Sequence, residues 1–289
     1  MAETSAQLRR LGAELRRLRE ATGRTQTDVG EALGRTKTTI LNWERGKTKL
    51  SKSDLVCLLA ELRAPAELRK GLEKLRQEAP RRAPQWATYG LPDWLRPLVS
   101  FEQDAVAIQT FQPVIIPGLL QTAEYARAIH TTGRHKVAPE FIEKWVAARM
   151  QRQQRLSGPS PATLHAVVAE AALRLETGGH AVFSRQLEKL IEAASTENIT
   201  VQVLAAGETG YAGVASNFHV LHFAEVDAYP PLGCFDGPLG GYIISDEGDV
   251  ATMVRMFEDL SQLALPESDS VELLTATLKK HRKRGSVHG

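Results

Sequence analysis

The sequence has 289 residues, 43% hydrophobic and 24% charged, which is the make-up of a globular chain with room for two domains, each able to bury a core. The formal net charge of +2 is unevenly spread: residues 1–83 carry 19 Lys and Arg against 11 Asp and Glu, or +8, and the remainder carries 17 against 23, or −6. No apolar run reaches membrane-spanning length, and two distant cysteines, Cys57 and Cys234, without a C-x-x-C pattern exclude a disulfide framework and a cysteine zinc site.

The N-terminal stretch MAETSAQLRRLGAELRRLRE lacks the apolar core of a signal peptide and points to a cytoplasmic protein. Its pattern predicts an amphipathic helix over about residues 6–22, with Leu8, Leu11, Leu15 and Leu18 as the apolar stripe and Arg9, Arg10, Arg16 and Arg17 on the wet sides. Thr25 to Gly46 then reads as two short helices joined by a tight turn. Val29, Ala32, Leu33, Ile40 and Trp43 recur at helical spacing, and Gly34 falls where a helix must stop and the chain reverse. Thr36 is placed to cap the second of these helices, whose first exposed residues are Lys37, Thr38 and Thr39, with Asn42 one turn on. A helix so disposed can enter the DNA major groove by its N-terminal end. A basic loop, GKTKLSKSD, precedes a fourth helix over residues 54–62, in which Cys57 reads as a core residue, and Pro65 opens a fifth.

Residues 1–79 thus make one helix-turn-helix domain. They resemble the Cro/C1-type (XRE) helix-turn-helix regulators through Leu15, Arg19, Thr25-Gln26, Val29, Ala32-Leu33-Gly34, Thr36, Thr39-Ile40, Trp43-Glu44-Arg45-Gly46 and Leu55. The resemblance implies that Lys37, Thr38 and Asn42 face base edges, where a lysine can donate to guanine and an asparagine can pair with adenine. It implies phosphate contacts from Gln26, Arg45, Lys47 and Lys49, and more weakly from Lys52 near the minor groove. Arg19 and Glu44 fall where such domains hold an ion pair between the first helix and the end of the third. Leu41 and the bulky Trp43 depart from the family pattern.

Residues 80–97, rich in proline yet carrying Trp86, Tyr89 and Trp94, read as a linker that packs against the second domain. From 98 to 282 the pattern predicts an α+β domain with a small sheet. LVSFEQDAVAIQTF reads as helix, PVIIPGLL as a break, QTAEYARAIHTTG as helix, and residues 139–156 as a long helix with Phe141, Ile142, Trp145, Val146 and Met150 buried and Arg149, Arg152, Gln153 and Arg155 polar. TLHAVV, ITVQVL, NFHVLHF, PLGCFD and GGYIIS read as strands, EAALRLETG and VFSRQLEKLIEAAS as helices, and two further helices close the chain before a basic tail, residues 283–289.

Pro117 to Arg127, Arg152-Gln153, Arg155-Leu156, Glu170 to Arg174, Gly178-Gly179, Gln186-Leu187 and Val201 to Leu204 resemble a C-terminal domain of unknown function found in actinobacterial, antitoxin-like regulators. That resemblance implies binding of a ligand or of a small partner protein encoded nearby, and assigns no chemistry; Asp236 stands where a glutamate after an aromatic is more usual. Gln121 and Thr122, at a helix start, can bind a ligand or cap the helix. His219 and His222, three apart in a strand, point to opposite faces and do not suit a metal, and no P-loop, nucleophile elbow or G-x-G-x-x-G appears. The sequence reads as a non-enzymatic, cofactor-free regulator, homodimeric on double-stranded DNA, cytoplasmic and nucleoid-associated. The alternative is an antitoxin-like binder of a small neighbouring protein, with autoregulatory DNA binding.

Overall fold

A computed structural model describes residues 6–78, 89–92, 94–131, 138–207, 216–224, 230–237 and 240–285. The chain divides into two compact units, the break falling between Thr88 and Tyr89.

In the first unit, α1 (Ala6–Ala21), α2 (Gln26–Ala32), α3 (Lys37–Glu44), α4 (Lys52–Glu61) and α5 (Ala66–Glu78) enclose one core of Leu11, Leu15, Val29, Ile40, Trp43, Leu55, Leu58 and Leu72. Local chemistry sets each boundary. Thr25 caps α2 in a reciprocal box with Asp28, Thr36 caps α3, and Ser51 caps α4. Gly34 closes the turn at φ 61°, a left-handed conformation that a side chain disfavours. α1 lies so close to α3 that a Cβ on Gly12 would come within 2.4 Å of the Glu44 carbonyl oxygen. Because α1 packs on both α3 and α5, its buried face is wider than its leucine stripe, and Arg10, expected in solvent, is only 3% exposed. Cys57 is the reverse correction: α4 buries Leu55, Leu58 and Leu59, and Cys57 lies off that face, exposed. Among the described residues no helix is long and apolar enough to cross a membrane.

The second unit is built on a six-stranded mixed sheet in the order β3-β2-β1-β4-β5-β6. The strands are β1 (Ala107–Gln112), β2 (Thr163–Ala169), β3 (Ile199–Leu204), β4 (Phe218–His222), β5 (Leu232–Gly237) and β6 (Gly240–Ile244). β1, β2 and β3 run parallel through helical crossovers, and β4, β5 and β6 add antiparallel. The helices are α6 (Leu95–Asp104), α7 (Ala123–Thr131), α8 (Pro139–Gln153), α9 (Gly179–Ala193), α10 (Glu247–Leu263) and α11 (Glu267–Gly285). α10 covers one face of the sheet, where Met253, Phe257 and Leu260 meet Phe111, Val167, Phe218 and Val220.

The strand at the middle of this sheet is the one the pattern hid. VAIQTF was expected to continue a helix, but α6 ends at Asp104, Ala105 turns extended (ψ 137°), and the chain leaves as β1. Its apolar residues satisfy either period, and the buried polar residues Thr110 and Gln112 break the apolar–polar alternation that marks a half-exposed strand. EAALRLETG corrects similarly, to a 3₁₀ turn over Glu170–Leu173. Gly237 pairs with Gly240, which makes β5 and β6 a hairpin; residues 238 and 239 lie outside the described residues, as do Trp86 and the first part of the expected linker.

Candidate functional site

On α3 the inward residues are Ile40, Trp43 and Glu44, which leaves Lys37 and Thr38 exposed at its N-terminal end, Leu41 and Asn42 half-buried and Arg45 exposed at its end. The unusual Trp43 therefore belongs to the core and leaves the outer face unaltered. Thr36 and Thr39 are occupied in capping: the Thr36 hydroxyl accepts from the Thr39 N–H at 3.2 Å and lies 2.9 Å from its hydroxyl. Lys47, Lys49 and Lys52 are exposed around the loop between α3 and α4.

What fixes this helix is a buried pair. Arg19 Nε donates to Glu44 Oε1 at 2.5 Å and its Nη2 to Oε2 at 3.2 Å, with side chains 11% and 4% exposed. The bond to Glu44 holds the guanidinium above its ordinary value despite the opposing cost of burial. Gln26, expected at phosphate, gives its side-chain amide to Glu44 Oε2 at 2.7 Å, so one carboxylate ties α1, α2 and α3 together. Arg35 in the turn pairs with Asp54 of α4 at 2.8 Å.

The second unit holds a chamber of about 550 Å³, within the size range of small-molecule sites. Its walls are apolar and aromatic: Leu91, Trp94, Val114, Ile115, Ile129 and Trp145. Its floor is polar, where Gln112 at the end of β1, Asn217 before β4 and Asp236 on β5 meet Arg149 and Arg152 of α8. Gln112 and Asp236 share the sheet face opposite α10, since Phe111 and Phe235 on the alternate positions belong to the core beneath α10.

The floor carries mixed charge. Arg152 Nε donates to Glu102 Oε2 at 2.7 Å, a pair with side chains 10% and 5% exposed. Arg149 instead donates to the neutral amide oxygen of Gln121, and burial together with Arg152 pushes its guanidinium down to about 10, which leaves it a cation at neutral pH. Burial opposes ionisation of Asp236, but His219, Arg152 and Arg149 outweigh it and hold the carboxyl below its ordinary value. Asn217 donates to the same carboxylate and to its backbone carbonyl. Burial and the nearby Arg149 push His130 down to about 4, so it is neutral at pH 7.

Several α8 residues expected on the polar outside therefore face in. Besides Arg149 and Arg152, Gln153 donates to the Gln121 and Gly118 carbonyls at 2.7 and 3.2 Å, and Arg155, in the 3₁₀ turn that follows α8, donates to the Ala105 carbonyl at 2.7 Å. Phe141, expected to be buried, is 43% exposed instead. Gln121 is fully buried, its amide N–H donating to the Ile116 carbonyl at 2.6 Å, so it positions Arg149 from behind. Thr122 caps α7, its hydroxyl accepting from the Tyr125 N–H at 3.2 Å. His219 and His222 lie on opposite faces, the first 3.2 Å from Asp236 and the second 3.0 Å from Gln109. Sequence reasoning missed the chamber; its one signal was the aromatic-rich stretch holding Trp94.

Two family models match the chain: a helix-turn-helix domain over residues 10–72 and the domain of unknown function DUF5753 over residues 95–276. The first is of the XRE type, which makes the chain a DNA-binding regulator. No curated protein and no solved structure is significantly similar to it.

Proposed function

The chain belongs to the DUF5753 family, and on that premise we propose that it is a sequence-specific transcriptional regulator whose second unit senses a ligand or partner. The observation that carries the reading is the exposed N-terminal end of α3, with Lys37 and Thr38 exposed and Asn42 half-buried further along, on a helix fixed by the Arg19–Glu44 pair. Lys37 and Asn42 supply base-edge donors and acceptors, and Arg45, Lys47, Lys49 and Lys52 supply phosphate neutralisation. One such helix buries little DNA surface, so the protein acts as a homodimer on two half-sites about 34 Å apart. DNA as the target places its work in the cytoplasm, at the nucleoid.

The chamber is the sensing site in this reading, and it binds without catalysing. Its apolar walls suit a compact hydrophobic body, and Arg149, a cation held by a neutral amide, suits an acidic or carbonyl group on that body. Exposed Val114 and Ile115 on its lining, at 52% and 37%, favour a second reading in which a small partner protein inserts there, as in an antitoxin-like binder.

The test is a selection of binding sites from a random DNA pool by the purified full chain. The expected result is a two-part motif with half-sites one helical turn apart. A single unpaired site, or enrichment of no sequence, contradicts the homodimeric reading; a stoichiometric small protein recovered with the chain from its own cells brings the antitoxin-like reading forward.

A further inference from the structure

Away from the chamber, the start of α9 and the end of α11 bring together two neighbouring side chains, Glu176 and His180, and a third, His281, 101 positions beyond His180 in sequence. Gly178 and Gly179, both at φ 80°, reverse the chain just before α9, and at Gly178 a Cβ would come within 2.8 Å of Val182 and 2.9 Å of Ala128. That reversal places Glu176 one turn from His180, with Glu176 Oε2 3.0 Å from His180 Nδ1. The other oxygen, Oε1, lies 3.4 Å from Nδ1 of His281, which α11 carries inward to 5% exposure. The His281 ring is braced edge-on by Phe183 at 5.0 Å and sits 5.9 Å from the His180 ring.

We propose that Glu176, His180 and His281 form a binding site for one divalent transition-metal ion of borderline softness, of the zinc(II) class, with water completing the shell. The three ligand atoms all lie within 4.8 Å of one another, the one such group among the described residues. Two donors on a tetrahedral zinc stand about 3.3 Å apart, as bond lengths of about 2.0 Å require, and each histidine nitrogen stands near that distance from one of the two Glu176 oxygens, 3.0 Å from Oε2 for His180 and 3.4 Å from Oε1 for His281. His180 Nδ1 is buried and makes no hydrogen bond among the described residues, although a carboxylate oxygen stands 3.0 Å from it, as befits a nitrogen aimed at a shared centre and misaligned for a direct bond. Two imidazoles and one carboxylate form a donor set for zinc, cobalt or nickel, and calcium and magnesium prefer all-oxygen shells. Arg282, next to His281 in sequence, is neutralised by Glu188 at 2.6 Å.

Bound there, the ion cross-links α11 to α9. Those helices lie against one another and against β3, where the Ser270 hydroxyl of α11 accepts from the Val203 N–H at 2.9 Å.

The test is a titration of the metal-stripped full chain with Co²⁺, read in its visible absorption, followed by displacement with Zn²⁺ against a chromophoric chelator. The expected result is one equivalent bound, a rise in the thermal midpoint on adding Zn²⁺, and binding weakened by about a hundredfold or more in both His180→Ala and His281→Ala. His180 is partly exposed, so His180→Ala is the decisive variant if His281→Ala fails to fold, as far-UV circular dichroism reports. No saturable binding at micromolar metal, or unchanged binding in His180→Ala, overturns the proposal and leaves an ordinary histidine–carboxylate ion pair.

Discussion

In the first unit Lys37, Arg45 and Lys47 stand in solvent around an architecture whose Arg19–Glu44 ion pair is hidden, whereas in the second unit Arg149, Arg152 and Arg155 are drawn inward. The difference shows that a basic residue's role is set by the surface it faces. An outward lysine on a rigid helix costs the fold nothing and remains available to phosphate and bases. An inward arginine must be satisfied on the spot, and in the second unit carbonyls, amides and Glu102 do this, with Arg149 bonded to an amide and not to a carboxylate among the described residues.

The comparison breaks most sharply at the hidden pair. Arg19→Met strands Glu44 in the core and is expected to cost about 3–5 kcal/mol in urea unfolding of the full chain, while Arg19→Met with Glu44→Leu recovers most of that loss. Gly12→Ala drives a methyl into the α3 backbone and is expected to cost about 1–3 kcal/mol by the same measurement. Lys37→Ala and Asn42→Ala leave the unfolding curve unchanged and each lose about 1–3 kcal/mol of preference for the selected site, read by fluorescence anisotropy.

The second unit is sharpened by pH. His130 is neutral when folded, with its value near 4, and titrates near 6.5 when unfolded, so the unfolded state binds the extra proton between those limits. Stability contributed by His130 is therefore present above pH 6.5 and lost as pH falls toward 4. His130→Asn should flatten that part of the stability profile; an unchanged slope would contradict the assignment. The smallest effect belongs to Lys47→Ala, which should weaken binding to all DNA alike and reduce the salt slope by about 0.9.

The helix-turn-helix was legible because its instructions are local: Thr36 caps α3 within three residues, and Gly34 marks its turn unaided. The chamber was not, because its lining comes from separate stretches around Trp94, Gln112, Trp145, Asn217 and Asp236 that only the sheet brings together. The central strand was lost for a related reason, since the polar Thr110 and Gln112 are buried in it and break the alternation that announces a strand. Arg149 read as an outside residue because periodicity ranks positions by hydrophobicity, and a buried guanidinium satisfied by Gln121 violates that ranking. Asp236, the one departure noticed in the second unit, proves to lie on the chamber floor.

The most direct test of DNA reading by α3 is a footprint of the purified full chain on DNA upstream of its own gene, at stated salt, beside the Lys37→Ala, Asn42→Ala double variant. Protection of two half-sites about one helical turn apart, lost in a variant whose circular dichroism and unfolding midpoint are unchanged, is the predicted result. An identical footprint from the double variant would contradict the assignment of α3 as the reading helix.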